Sequence, residues 1–257
     1  MKKHHHTINS GIVQDALACL GQNPFPQSYI GGGISLQFTL PPQYHRTTSD
    51  IDINSSQFIN AADFRSFIDE RFSDLSQRGY NLIIKKSHQT MDAHMERDGD
   101  HLLVQVPRKS VKKYEERKSI LEREVEHART VPYQNMDFRL IAYEDLIAHK
   151  LVRSTTFVRE YGLDLPTGNL DTLKETLDGA KEDFEISQFS LTPREAAAAL
   201  AQIRLNADVF DIKAVTHYFG DTFDEKYLDE TLSSYREEKN ALSADGWKAL
   251  LHRIAAR

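Results

Sequence analysis

Ser28-Tyr29-Ile30-Gly31-Gly32-Gly33-Ile34-Ser35-Leu36-Gln37-Phe38 and, past Pro41-Pro42, Arg46-Thr47-Thr48-Ser49-Asp50-Ile51-Asp52-Ile53 form the stretch on which the fold turns. Ser28-Tyr29-Ile30 is extended in character and the three glycines make a turn. Ile34 to Phe38 reads as the opening of a helix that Pro41-Pro42 cuts off, because proline has no N–H to donate. Ile51-Asp52-Ile53 alternates apolar and polar as a half-buried strand does. Side chains two apart on a strand share a face, so Asp50 and Asp52 stand side by side.

Outward from this stretch, residues 8–20 mix polar and apolar positions at helical spacing and stop at Asn23-Pro24-Phe25-Pro26. Phe64, Phe67, Ile68, Phe72 and Leu75 mark a helix over 61–77. Two or three strands follow: Asn81 to Ile84 and His101 to Val106 flank a segment whose Asp98-Gly99-Asp100 is a turn signal, which predicts an antiparallel hairpin, after which strands stop. From Tyr143 the pattern is helical, with helices predicted over 145–155, 170–177, 193–219 and 226–240. The fold class expected is α+β: a mixed-sheet domain over 1–140, then a helical domain over 141–257.

The 257-residue chain is 40% hydrophobic and 27% charged, the composition of an ordinary globular protein. No apolar run approaches the roughly 18 to 20 residues a bilayer requires, and no signal-peptide core follows Met1, so a cytoplasmic location without membrane association is expected. Cys19, the single cysteine, excludes an intramolecular disulfide and sits in an apolar helical stretch as a small core residue. A net charge of -6 argues against indiscriminate nucleic-acid binding. Arg108, Lys109, Lys112, Lys113, Arg117 and Lys118 make one basic block, but interleaved Glu115 and Glu116 favour a helix carrying surface ion pairs over an RNA-binding stripe. His88, His94 and His101 match no zinc spacing and read as ordinary histidines, and the terminal His4-His5-His6 is set aside.

Two adjacent carboxylates need a cation, and Mg²⁺ suits them because it takes hard oxygen ligands and is shared between one or two carboxylates and substrate phosphates. The glycine turn complements them: backbone amides without side chains approach phosphate oxygens, and a helix starting there adds its positive end. Either signal alone is also an ordinary turn or strand, whereas their ordered combination is considerably more specific. Arg46 either touches a phosphate or neutralises Asp50 and Asp52. Lys150 and Arg153, three apart on a helix, either present two cations to a ligand or belong to a solvated face.

Tyr29-Ile30-Gly31-Gly32-Gly33, Arg46 to Ile53, Glu144-Asp145-Leu146-Ile147-Ala148-His149-Lys150-Leu151 and Asp208-Val209-Phe210-Asp211-Ile212 together resemble the AbiEii/AbiGii nucleotidyltransferase toxins of type IV toxin-antitoxin and abortive-infection systems. That resemblance implies a nucleotidyltransferase-fold domain and a helical domain that completes an active-site cleft, with Mg²⁺ as cofactor and an NTP as substrate. It implies Asp50 and Asp52 as metal ligands, Lys150 on the triphosphate, and Asp208 as a further acid with Asp211 second. Thr48 matches a hydroxyl position that is modifiable in some relatives. The acceptor implied is RNA such as the 3′ end of tRNA, with a cognate antitoxin as partner. A protein or small-molecule acceptor, or an NTP-binding module without turnover, are the competing readings. Two departures stand out. Gly33 occupies the place of a hydroxyl residue, and the long interval between Lys150 and Asp208 suggests an insertion over about 164–190.

Overall fold

The structure, a computed structural model, describes residues 5–21, 24–87, 89–220, 222–235 and 242–256. His4, Asn23, His88 and the 236–240 end of the last predicted helix lie outside the described residues. The chain divides into two units, Met1–Ala142 and Tyr143–Arg257. It is an α+β protein, with a mixed sheet in the first unit and helices in the second.

In chain order the first unit contains α1 (Gly11–Leu20), β1 (Ser28–Ile30), β2 (Asp50–Ser55), α2 (Ala61–Arg71), β3 (Asn81–Lys86), β4 (Thr90–Arg97), β5 (Asp100–Pro107), α3 (Val111–His127), β6 (Arg129–Tyr133) and β7 (Met136–Leu140). The seven strands lie in the order β3-β4-β5-β2-β1-β7-β6. β2 is antiparallel to β1 and parallel to β5, and β1 is parallel to β7. Alternation on β2 sends Ile51 and Ile53, both at 0% exposure, into a core built with Ile12, Leu17, Phe64 and Ile68 of α1 and α2. Asp50, Asp52 and Asn54 consequently face the opposite side of the sheet. There α3 is joined to the sheet by the Tyr29 hydroxyl, which donates to the buried Glu124 carboxylate at 2.5 Å. Cys19 is partly buried against the same core, and burial raises its thiol pKa.

Three local expectations differ from what forms. Ile34–Phe38 is a five-residue 3₁₀ helix, closed by Leu40 N–H to Leu36 O (2.9 Å) just before the prolines, so no extended helix dipole points at the glycine turn. The hairpin around 98–99 joins β4 to β5, and β3 pairs with β4 rather than β5. Strands also continue past Pro107: β6 and β7 form a second hairpin whose turn residues Gln134 (φ 48°) and Asn135 (φ 67°) are left-handed. A Gln-Asn turn lacks the glycine that advertises such geometry, which hid this hairpin.

The second unit comprises α4 (Tyr143–Tyr161), α5 (Leu170–Ser187), α6 (Pro193–Phe219), α7 (Glu225–Ser233) and α8 (Ala244–Ala255). α6 starts at a Thr192/Glu195 capping box with Pro193 in the first turn. Between Leu205 and Val215 it is buried nearly all round, as a central helix must be. Most of the segment that composition marked as an insertion is α5, and Leu173 and Leu177 in its first half are fully packed. Asp145, at 0% exposure, accepts from the Tyr227 hydroxyl (2.6 Å) and from Thr231 (3.3 Å), tying α4 to α7. Asp145→Ala leaves those donors without their charged acceptor and is expected to cost about 2–3 kcal/mol, read as a lowered urea midpoint at unchanged slope.

Candidate active site

The glycine turn continues the β1–β2 ladder and folds over it. Gly31 N–H donates to Asp52 O (2.8 Å), and Gly32 adopts φ 65°, a left-handed conformation that glycine tolerates without strain. A Cβ at Gly32 would overlap the Asp52 carboxylate, and one at Gly33 would fall 2.7 Å from Arg46 Cζ. Arg46 therefore takes up the space that a side chain at residue 33 would fill, which gives a steric reason for glycine where a hydroxyl residue was expected. The N–H groups of Gly32 and Gly33 take no part in the backbone hydrogen bonds among the described residues. Gly32→Ala meets both obstacles and is expected to lose about 1–3 kcal/mol of stability, measured by denaturant titration.

Asp50 is oriented from below. The Thr48 hydroxyl, on a residue 3% exposed, donates to Asp50 Oδ1 at 2.8 Å. Thr48 is pinned in turn by two backbone bonds to His6, each 2.8 Å. Gln37 Nε2 donates to Arg46 O (2.8 Å) while its Oε1 accepts from Ile8 N–H (2.8 Å), so the Gln37 side-chain amide ties the segment leading into β2 to the residues ahead of α1. Arg46 also donates to Thr47 O at 3.1 Å. Its position against Gly33 is compatible with either role read from the sequence.

The sheet adds residues that sequence reading did not single out. Register places Gln105 opposite Asp52 and Asp92 opposite Gln105 on one face of β2, β5 and β4. Gln105 Nε2 donates to the buried Asp92 Oδ1 at 2.9 Å. Alternation along β5 is the signal that would have found Gln105; Asp92 required knowing that β4 exists. His94 and His101 come together with Nδ1 to Nε2 at 3.0 Å, and His6 Nε2 lies 3.1 Å from His101 O. Among the described residues no three His, Cys, Asp or Glu side chains are arranged to hold a metal by themselves. Asp50 and Asp52, partly buried and on one face, fit a cation that completes its shell from water and phosphate oxygens, as Mg²⁺ does.

The second unit holds its own charge cluster. Lys150 Nζ sits 3.0 Å from Asp208 Oδ1 and 2.7 Å from Asp211 Oδ2, with the Lys150 side chain only 3% exposed. Arg153 grips Asp208 with two nitrogens, its Nε at 2.7 Å from Oδ2, while its own side chain remains 49% exposed. The i,i+3 pair on α4 thus meets an i,i+3 pair on α6. The solvated-face alternative fails for Lys150. Burial by itself would raise the Asp208 pKa, but Arg153 and Lys150 outweigh it and hold the carboxyl below its ordinary range. Both Asp208 and Asp211 touch Lys150, so the geometry does not rank one above the other.

No known family profile matches the chain, and no curated protein matches it. Among solved structures it is similar to an antigenic nucleotidyltransferase-like protein from Paracoccidioides brasiliensis. The two are 11% identical, with 80% of this chain and 84% of that one covered, at a TM-score of 0.34. So distant a likeness carries neither activity nor substrate to this chain. Among the described residues no helix is long and apolar enough to cross a membrane.

Proposed function

We propose that this chain is a Mg²⁺-dependent nucleotidyltransferase that moves a nucleotide from an NTP to an acceptor hydroxyl. The observation that carries this reading is the packing of the Asp52 carboxylate and the Arg46 guanidinium directly onto Gly32 and Gly33. Two backbone N–H groups outside the backbone hydrogen bonds, a guanidinium and a carboxylate come together there within a few residues. Gly32 and Gly33 would donate to phosphate oxygens, and Arg46 would add positive charge beside them. Asp50, aimed by Thr48, and Asp52 would hold the metal. When bound, Mg²⁺ supplies charge neutralisation at the α-phosphate and the departing pyrophosphate. Gln105, fastened by Asp92, stands opposite Asp52 in the sheet.

In the second unit Arg153, its side chain 49% exposed, would contact a phosphate group, with Lys150 behind it holding Asp208 and Asp211, one of which would be the further active-site carboxylate. The supporting fact is that four charged groups are concentrated in one cluster with three of them buried, an expensive arrangement that ordinary helix packing does not need. The acceptor proposed is RNA such as the 3′ end of tRNA, in a cytoplasmic toxin-antitoxin or abortive-infection setting with an antitoxin partner. Incubation with α-labelled NTPs, Mg²⁺ and cell extract tests this, with label expected in the RNA fraction. Label in protein or small solutes would move the acceptor to that class. NTP binding without pyrophosphate release from any acceptor would make the chain a non-catalytic nucleotide-binding module.

A further inference from the structure

The basic block of α3 does not behave as one surface. Lys112 pairs with Glu116 at 3.9 Å in an exposed i,i+4 contact, as expected of a solvated helix. Lys109, just ahead of the Ser110 cap, is turned inward and half-buried instead. Its backbone has little freedom to choose otherwise: Arg108 N–H donates to Gln89 O (2.7 Å) and Arg108 Nη1 to Ser87 O (2.9 Å), which anchors the exit of β5.

Lys109 lines a pocket with Asn54, Ser55, Gln57, Val106 and Tyr114, and no acidic side chain lines it. The Lys109 ammonium makes no hydrogen bond or ion pair with any described residue. Its pKa is pulled down to about 8, chiefly by burial and also by Arg117, with Glu124 opposing. Glu124 is already bonded to the Tyr29 hydroxyl. A half-buried cation with no hydrogen bond or close ion pair of its own is costly, and such groups persist where an anion completes them. The 17-residue α3 begins beside the pocket, so its positive end adds to the same field. Asn54 connects the pocket to the glycine turn, since its Nδ2 lies 3.1 Å from where a Cβ of Gly31 would sit. It is also the next residue after Asp50 and Asp52 on their face of β2.

We infer that the pocket at Lys109, Asn54 and the start of α3 is an anion site that takes a phosphate group. The choice of phosphate over another anion rests on the nucleotidyl-transfer reading; the anion site itself does not. The phosphate belongs either to the nucleotide or to the backbone of a nucleic-acid acceptor.

Binding of inorganic pyrophosphate, without divalent metal, to the full chain and to its Lys109→Met and Lys109→Arg variants tests this. Lys109→Met is expected to weaken binding about tenfold, the loss of one charge-assisted contact, and Lys109→Arg to remain within about threefold. Lys109→Met should melt no lower than wild type, because it removes a half-buried charge that has no partner. In the wild-type chain the ¹³Cε signal of Lys109 should move on pyrophosphate addition, a readout independent of how the variants fold. Repeating the titrations with ATP and with a short 5′-hydroxyl RNA identifies the source of the phosphate by which ligand moves the Lys109 signal. Equal binding of all three ligands by Lys109→Met and wild type, or a Lys109 signal that none of them moves, overturns the proposal. Asp52→Asn should keep the Lys109 response, so failure of the anion site and failure of the transfer reading are seen separately.

Discussion

Asp52→Asn is expected to reduce nucleotide transfer by about 10³-fold or more, with a melting temperature at or slightly above that of wild type. The amide matches the carboxylate in shape, so the packing of Gly32 against residue 52 survives. What is lost is the negative charge that would bind the metal, and in the metal-free protein its removal relieves repulsion from Asp50. Label transferred from an α-labelled NTP measures the effect, and Mn²⁺ binding followed by water-proton relaxation gives a second readout at the same site. Unimpaired transfer in this variant would remove Asp52 from the chemistry. A collapse in melting temperature would instead mean that residue 52 is needed for the turn.

The second large effect is on stability. Lys150→Met should destabilise the second unit by about 3–5 kcal/mol, because it leaves two buried carboxylates with one cation fewer. Chemical denaturation measures it, and a loss below about 1 kcal/mol would mean that the cluster is poorly formed in solution. The cluster also gives acid sensitivity with a definite sign. Asp208 is held below its ordinary pKa in the folded chain, so its contribution is fully present above the ordinary aspartate value of about 3.9 and is lost as pH falls through its lowered value. Asp208→Asn should flatten that acid limb of the stability profile. Arg153, half-exposed and screened by water, should contribute far less to stability than Lys150. A pronounced loss of transfer in Arg153→Ala at nearly unchanged stability would therefore report on the reaction.

Much of this architecture can be read residue by residue. The alternation at 50–55 states which face of β2 is buried, and the helical spacing from Tyr143 onward announces α4 and α6. Both follow from backbone stereochemistry, which repeats every two or 3.6 residues whatever the rest of the chain does. Asp50 and Asp52 were legible for that reason, and so was the turn ahead of them. β4 had no assigned bounds, the third strand of this segment being left open, because Asp92, His94 and Glu96 on its polar face, seen without a partner strand, resemble a polar loop. β6 and β7 escaped because their turn is built from Gln134 and Asn135 and because Pro132 reads as a breaker, although an edge strand tolerates it.

Local pattern thus settles how each segment folds and which of its faces is apolar, since those choices depend on neighbours along the chain. It does not settle which charges meet. That Lys150 is sealed between Asp208 and Asp211, that Asp92 fastens Gln105 beside Asp52, and that Lys109 leaves its basic block to line a pocket all depend on elements far apart in sequence packing together. A lysine in water and a lysine buried against carboxylates carry the same letter. The difference between them is the cost of desolvation set against the proximity of a counter-charge, and both quantities come into being only when the chain has folded.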